Sequence, residues 1–205
     1  MQFIELKKTF KDFTLFSLND IKKWDNAFFR VRLNEWQNKG YIKKIIKGYY
    51  IFSDLELNEN VLYEIGNRIY RPSYISFQTA LSYYGLIPES VYAITSASTR
   101  RTYRFKTPIA EFVYRTITPR FFFGYHLVKY DHQYFKIASL EKAILDYFYV
   151  HPDIKGKNDF ESLRINKDIF SERIHEEILH QYLEKFAQKA LAKRIRSFWE
   201  FMTHA

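Results

Sequence analysis

The stretch from Phe13 to Phe52 constrains the fold of this chain more than any other. Phe13-Thr14-Leu15-Phe16 is a short β-type run. Ser17 follows as a helix N-cap, with Asp20 three residues on to favour the first turn. Leu18, Ile21 and Trp24 recur at helical spacing. Asp25 can cap a second helix, which places Phe29, Leu33 and Trp36 on one apolar face and ends at Gly40. Tyr41 to Lys47 and Tyr49 to Phe52 then read as two strands joined at Lys47-Gly48, a hairpin signal. Two short helices and a hairpin, in that order, predict a winged helix-turn-helix.

Charge within this stretch is one-sided. Arg30, Arg32, Lys39, Lys43, Lys44 and Lys47 face a single acid, Glu35. Basic residues on a hairpin and its flanks suit phosphate contacts, which carry affinity without sequence information. With Phe29, Leu33 and Trp36 turned inward, Asn26, Ala27, Arg30, Arg32 and Asn34 become the expected DNA-facing residues of the helix. Lys43, Lys44 and Lys47 are those expected of the hairpin. The net charge of +9 over 205 residues agrees with a polyanionic partner.

The rest of the chain divides by period. Residues 1–55 form the expected DNA-binding domain, opened by a helix over Met1–Lys11 that carries Phe3, Leu6 and Phe10. The polar segment Ser53–Asn60 is a connector, and residues 60–205 form a second domain. Helices are predicted over Val61–Tyr70 and from Ser76 to Gly85. After Pro88 the period becomes two, with strands over Val91–Ser96, Ile109–Thr116, Phe121–Val128 and Gln133–Ile137 in a small, mainly antiparallel sheet. Ser139 caps a further helix, and the remainder is helical, with stripes such as Phe186, Ala190, Ile195, Phe198 and Trp199. The fold class expected is α+β.

Several features weigh on function. Thr99 to Lys106 holds a second basic patch, Arg100, Arg101 and Arg104, in which strand alternation would set Arg101 opposite the other two. It reads equally as a phosphate-contacting surface or as an edge strand kept soluble by charge. Lys185, Lys189, Lys193, Arg194 and Arg196 give the last helix a basic face that is either solvated, or adds nonspecific DNA contact or contact with a toxin's RNA target. Glu141 and Asp146 are five apart and diverge on a helix, so local pairing explains them better than catalysis. Asp153-Ile154-Lys155 lies between Pro152 and Gly156, a turn rather than the paired strands a metal-dependent nuclease needs. The histidines His126, His132, His151, His175, His180 and His204 show no metal spacing. No catalytic residue, metal site or cofactor is therefore expected. The chain has no cysteine, no apolar run near the ~20 residues of a spanning helix and no apolar signal core. These features predict a cytoplasmic protein with no membrane partner.

The middle of the chain carries recognisable wording. Pro72-Ser73-Tyr74-Ile75-Ser76-Phe77-Gln78-Thr79-Ala80-Leu81 leads into Tyr84-Gly85-Leu86-Ile87-Pro88-Glu89. Thr95-Ser96-Ala97-Ser98-Thr99-Arg100-Arg101 follows, then Phe123-Gly124-Tyr125 and Ile137-Ala138-Ser139-Leu140-Glu141-Lys142-Ala143-Ile144-Leu145-Asp146. Together with the N-terminal pattern this resembles the AbiEi family of antitoxins and related transcriptional regulators. The resemblance implies an N-terminal domain that represses its own operon at a double-stranded operator. It also implies an antitoxin domain in a type IV toxin–antitoxin, or abortive infection, system for phage defence. Its counterpart would be a nucleotidyltransferase-like toxin, opposed without a stable complex. The alternatives are an orphan regulator or interaction module without a toxin, and a metal-dependent nuclease.

Overall fold

A computed structural model describes residues 1–88 and 92–203. Glu89, the expected strand start Val91 and His204 lie outside these residues. The chain is α+β. Its first unit contains α1 (Phe3–Thr9), β1 (Phe16–Ser17), α2 (Leu18–Trp24), α3 (Val31–Asn38), β2 (Ile42–Ile46) and β3 (Tyr49–Phe52). The three strands form a sheet in the order β1-β3-β2, antiparallel throughout.

Local chemistry explains much of this unit. Asp20 N–H donates to the Ser17 hydroxyl at 3.2 Å, and the Asp20 carboxylate accepts from Ser17 N–H at 2.9 Å. This reciprocal pair starts α2. Gly48 takes φ +88° in the β2–β3 turn, a conformation that glycine adopts without strain. Ile45 is an extra residue in β2, since Lys44 pairs with Tyr50 and Ile46 with Tyr49. This bulge leaves Lys43 and Lys44 both exposed, with Ile42 and Ile45 both buried.

The second helix starts later than expected. Asp25 does not cap it: the carboxylate is held by the Met1 ammonium at 2.6 Å, which keeps it below the usual carboxylate range. Residues 25–30 form turns, and α3 begins at Val31 behind an Arg30 that makes no capping bond. The core ring is consequently Phe28, 4% exposed, while Phe29 is 72% exposed and Trp24 66%. Leu33 and Trp36 are buried as expected. Phe28→Ala should cost about 3–5 kcal/mol and Phe29→Ala about 0.5 kcal/mol or less. Urea midpoints of the two variants check this, and the reverse ranking would contradict it.

The second unit is built on a six-stranded sheet. Its elements are α4 (Glu59–Ile69), β4 (Ser73–Ile75), α5 (Phe77–Tyr83), β5 (Ala93–Ser98), β6 (Tyr103–Lys106) and β7 (Glu111–Thr116). A 3-10 turn at Pro119–Phe121, β8 (Tyr125–Tyr130), β9 (Gln133–Ala138) and α6 (Leu140–Val150) follow. Four helices close the chain: α7 (Lys157–Ser162), α8 (Lys167–Arg173), α9 (Glu176–Phe186) and α10 (Lys189–Thr203).

The strand order is β6-β7-β5-β4-β9-β8. The sheet is mixed: three of its five pairings are antiparallel, while β5 runs parallel to β7 and β4 parallel to β9. The central strand β4 spans three residues, all buried, too few to show an alternating pattern. Phe121 to Gly124 is not strand. Phe121 is buried and stacks on Phe186 of α9 at 4.3 Å, so packing takes it out of the sheet. In α10 the buried stripe is Leu191, Ile195, Phe198 and Met202, and Ala190 faces solvent.

Alternation assigns the two faces. On one, Tyr114 donates to the Gly66 carbonyl at 2.6 Å, and Phe112 meets Gly66 so closely that an added methyl would lie 3.3 Å from its ring. That face carries α4. The other face carries α5 and α6, with α9 and α10 packed outside α6.

The two units share buried contacts. Leu6, Phe10, Phe16, Ile21, Phe28 and Leu33 belong to the first unit's own core, but Leu15, Ile45 and Ile51 pack into the core of the second. Thr14, Tyr130 and Arg68 all donate to buried Glu64 of α4. The hairpin therefore packs on both cores, through Ile42, Tyr50 and Phe52 on the first and through Ile45 and Ile51 on the second.

Three of the segments quoted above for their wording, 72–81, 123–125 and 137–146, converge on one buried cluster. Lys142 and Asp146, one turn apart on α6, form an ion pair with both side chains fully buried. Tyr74 and Ser76 each donate to Asp146 Oδ2 at 2.8 Å, and Lys142 Nζ donates to Tyr74 at 2.8 Å. The rings of Phe123 and Phe186 lie 5.1 Å from the ammonium. Gly124 takes φ +69°, and a methyl there would meet Lys142 Cγ at 3.0 Å. Burial pulls Lys142 down and pushes Asp146 up, and their mutual attraction opposes both shifts. Sealed from solvent, the cluster ties β4 to α6.

Candidate nucleic-acid interface

The α2–turn–α3 segment presents a polar outer face. Asn34, Glu35 and Asn38 are exposed on α3, and Val31 is 60% exposed beside them. Arg30 is exposed at the start of the helix. Asn26 and Ala27 are exposed too, but in the preceding turn, with Ala27 N–H bonded to Asp25. Arg32 is half-buried, and its guanidinium donates to the Met1 carbonyl at 2.7 Å, which turns it from the outer face. Val31 and Asn38 were not singled out from the sequence. They follow once the helix is shifted to start at Val31.

Lys43 and Lys44 are exposed along β2, and Lys47 is exposed at the hairpin turn. Lys47 is the hairpin lysine that reaches the second unit. It lines a groove of about 470 Å³ with Arg68 and Arg71 at the end of α4 and with Arg100 and Arg101. Tyr49, Tyr70, Tyr103 and Phe105 complete much of its wall, and no carboxylate lines it among the described residues.

The two arginines of the β5–β6 turn are held in place. The Arg100 guanidinium lies 4.2 Å from the Tyr70 ring centroid, and its carbonyl accepts from Thr116 at 2.8 Å. Tyr70 donates its hydroxyl to the Arg101 carbonyl at 2.8 Å and stacks on Tyr103, 6.1 Å between centroids. Arg68 is oriented by Glu64 at 3.1 Å. These contacts use backbone carbonyls and ring faces for the most part, so the positive charge of Arg71, Arg100 and Arg101 stays exposed.

The groove corrects the reading of the second patch. Arg100 and Arg101 precede β6, so strand alternation does not separate them. Arg104 lies inside β6, on the opposite sheet face, 3.0 Å from Glu111. Arg68 and Arg71 were missed, since basic residues at a helix end also serve the helix dipole and give no separate signal. On the last helix, Arg194 is not part of a free basic face. It donates to the carbonyls of Phe148, His151 and Ile154 at 2.9, 2.9 and 3.3 Å, capping the end of α6.

Elsewhere, Asp146 is locked in the buried cluster, and Glu141 accepts from His175 N–H at 3.2 Å. Among the described residues no helix is long and apolar enough to cross a membrane. A comparison with protein-family models finds no match, and neither does a comparison with curated proteins.

Proposed function

We propose that this chain is a non-enzymatic DNA-binding transcriptional regulator whose first unit works as a winged helix-turn-helix. The observation that carries this reading is the shared groove, in which the hairpin lysine Lys47 meets Arg68, Arg71, Arg100 and Arg101. One-signed charge drawn from both units suits a long polyanion better than a small ligand. In this reading α3 enters the major groove with Asn34, Asn38 and Arg30, residue types that pair bidentately with adenine and guanine edges. Val31 supplies apolar surface for a thymine methyl group. The hairpin and the arginine groove follow the backbone.

The resemblance to AbiEi antitoxins extends the proposal to a cytoplasmic type IV antitoxin that represses its own operon and counters a nucleotidyltransferase-like toxin. The groove bears on the DNA-binding half of that proposal, and the toxin half rests on the resemblance. Two experiments separate them. In a reporter assay with the chain's own upstream region, Asn34→Ala should lose about 1–3 kcal/mol of discrimination between operator and scrambled duplex. An unchanged ratio would remove α3 from base reading. Co-expression with a nucleotidyltransferase gene from the same operon should restore growth, and failure there with repression intact would leave an orphan regulator.

A further inference from the structure

A second cavity, of about 550 Å³, lies on the other face of the six-stranded sheet from the basic groove. Its size falls in the range of small-molecule sites. Leu81 of α5, Val113 of β7 and Phe198 of α10 supply apolar wall. Against that wall stand two guanidinium groups, Arg104 and Arg115, and the amide of Gln78.

Two of these three polar groups are unused within the chain, while Arg104 is paired with Glu111 at 3.0 Å. Arg115 is exposed and has no ion-pair partner among the described residues. Gln78 is half-buried and makes no side-chain hydrogen bond among them. Alternation along β6 and β7 puts Arg104, Val113 and Arg115 on this face, while Tyr103, Phe105, Phe112 and Tyr114 face α4.

We propose that this cavity binds a small organic anion. A carboxylate or phosphate would be held by Arg115, whose planar fork matches either group, while Arg104 stays paired with Glu111. An apolar body would lie against Leu81, Val113 and Phe198, and Gln78 would meet a polar substituent. A neutral apolar ligand leaves the Arg115 guanidinium unanswered. A volume of about 550 Å³ with one free guanidinium suits a small anion better than a polynucleotide, which the row of basic residues in the other groove fits. The site is independent of the DNA-binding reading, and the test reads it without DNA.

The full-length chain is titrated with anilinonaphthalenesulfonate, an anion on an apolar aromatic body, followed by fluorescence. One saturable site is expected. Arg115→Gln should weaken binding about tenfold through the lost bidentate contact. Ser162→Trp, an exposed position on the cavity wall, should block it by filling space. Both variants should keep the wild-type melting midpoint. Decanoate or adenosine monophosphate should displace the probe, and which of them does so more strongly tells a carboxylate chain from a nucleotide. Absence of saturable binding would overturn the proposal. So would unchanged binding in both variants, or displacement by decanol as strong as by decanoate.

Discussion

Lys142→Met is expected to destabilise the chain by about 3–5 kcal/mol, because it strands a buried carboxylate. Asp146 is sealed from solvent and keeps only the Tyr74 and Ser76 hydroxyls once the ammonium is gone. Asp146→Leu should cost a similar amount, leaving an ammonium between Phe123 and Phe186 without its carboxylate. In a chain of this size the fall in melting midpoint should be roughly 6–20 °C. The double variant Lys142→Met with Asp146→Leu should recover part of that loss, since removing both charges avoids an uncompensated one. Thermal melts of the three variants measure the effect. Single variants that melt with the wild type would show that the pair contributes nothing to stability.

The same cluster shows what was legible in the sequence and what was not. Short-range chemistry was readable: Ser17 with Asp20 at the start of α2, Ser139 at the start of α6, Lys47-Gly48 at the hairpin turn. Each is settled within four residues. Contacts between distant segments were not. Tyr74 and Phe123 both meet Lys142 because β4 runs beside β9, which continues into α6. The start of α3 was misplaced because Asp25 finds the Met1 ammonium, a partner 24 residues away, instead of its own helix. Likewise, the basic groove joins residues 47, 68, 71, 100 and 101, and nothing in their local sequence relates the hairpin to the β5–β6 turn. Arg104 was grouped with Arg100 by strand alternation, which does not extend into a turn.

Reversing Arg100 and Arg101 together to glutamate should lower affinity for duplex DNA by roughly tenfold to a hundredfold at moderate salt. Both arginines are exposed on the groove wall, so the reversal turns attraction of a polyanion into repulsion. Arg104→Glu is the matched control. It sits on the opposite sheet face and should leave DNA affinity close to wild type. The Arg100 ring contact and the Thr116 hydrogen bond to its carbonyl involve an exposed turn, so the double variant should stay folded. Circular dichroism checks this, and a folded double variant with wild-type affinity would return the patch to a solvated edge. The outcome also bears on division of labour. A drop in DNA affinity would mean that the second unit takes part in repression, and that the two activities do not map onto residues 1–55 and 60–205.

Whether the hairpin and the arginine groove bind DNA together is read from the fluorescence anisotropy of a labelled duplex, titrated with the full-length chain at several salt concentrations. Tight binding is expected at low salt, with a linear fall of log affinity with log salt. Replacing Lys47, Arg100 and Arg101 with alanine should lower that slope by about 0.9 for each phosphate contact removed, or roughly 2.7 in all. A chain that fails to bind duplex at low salt, or a folded triple variant with the wild-type slope, would contradict joint binding by the hairpin and the groove.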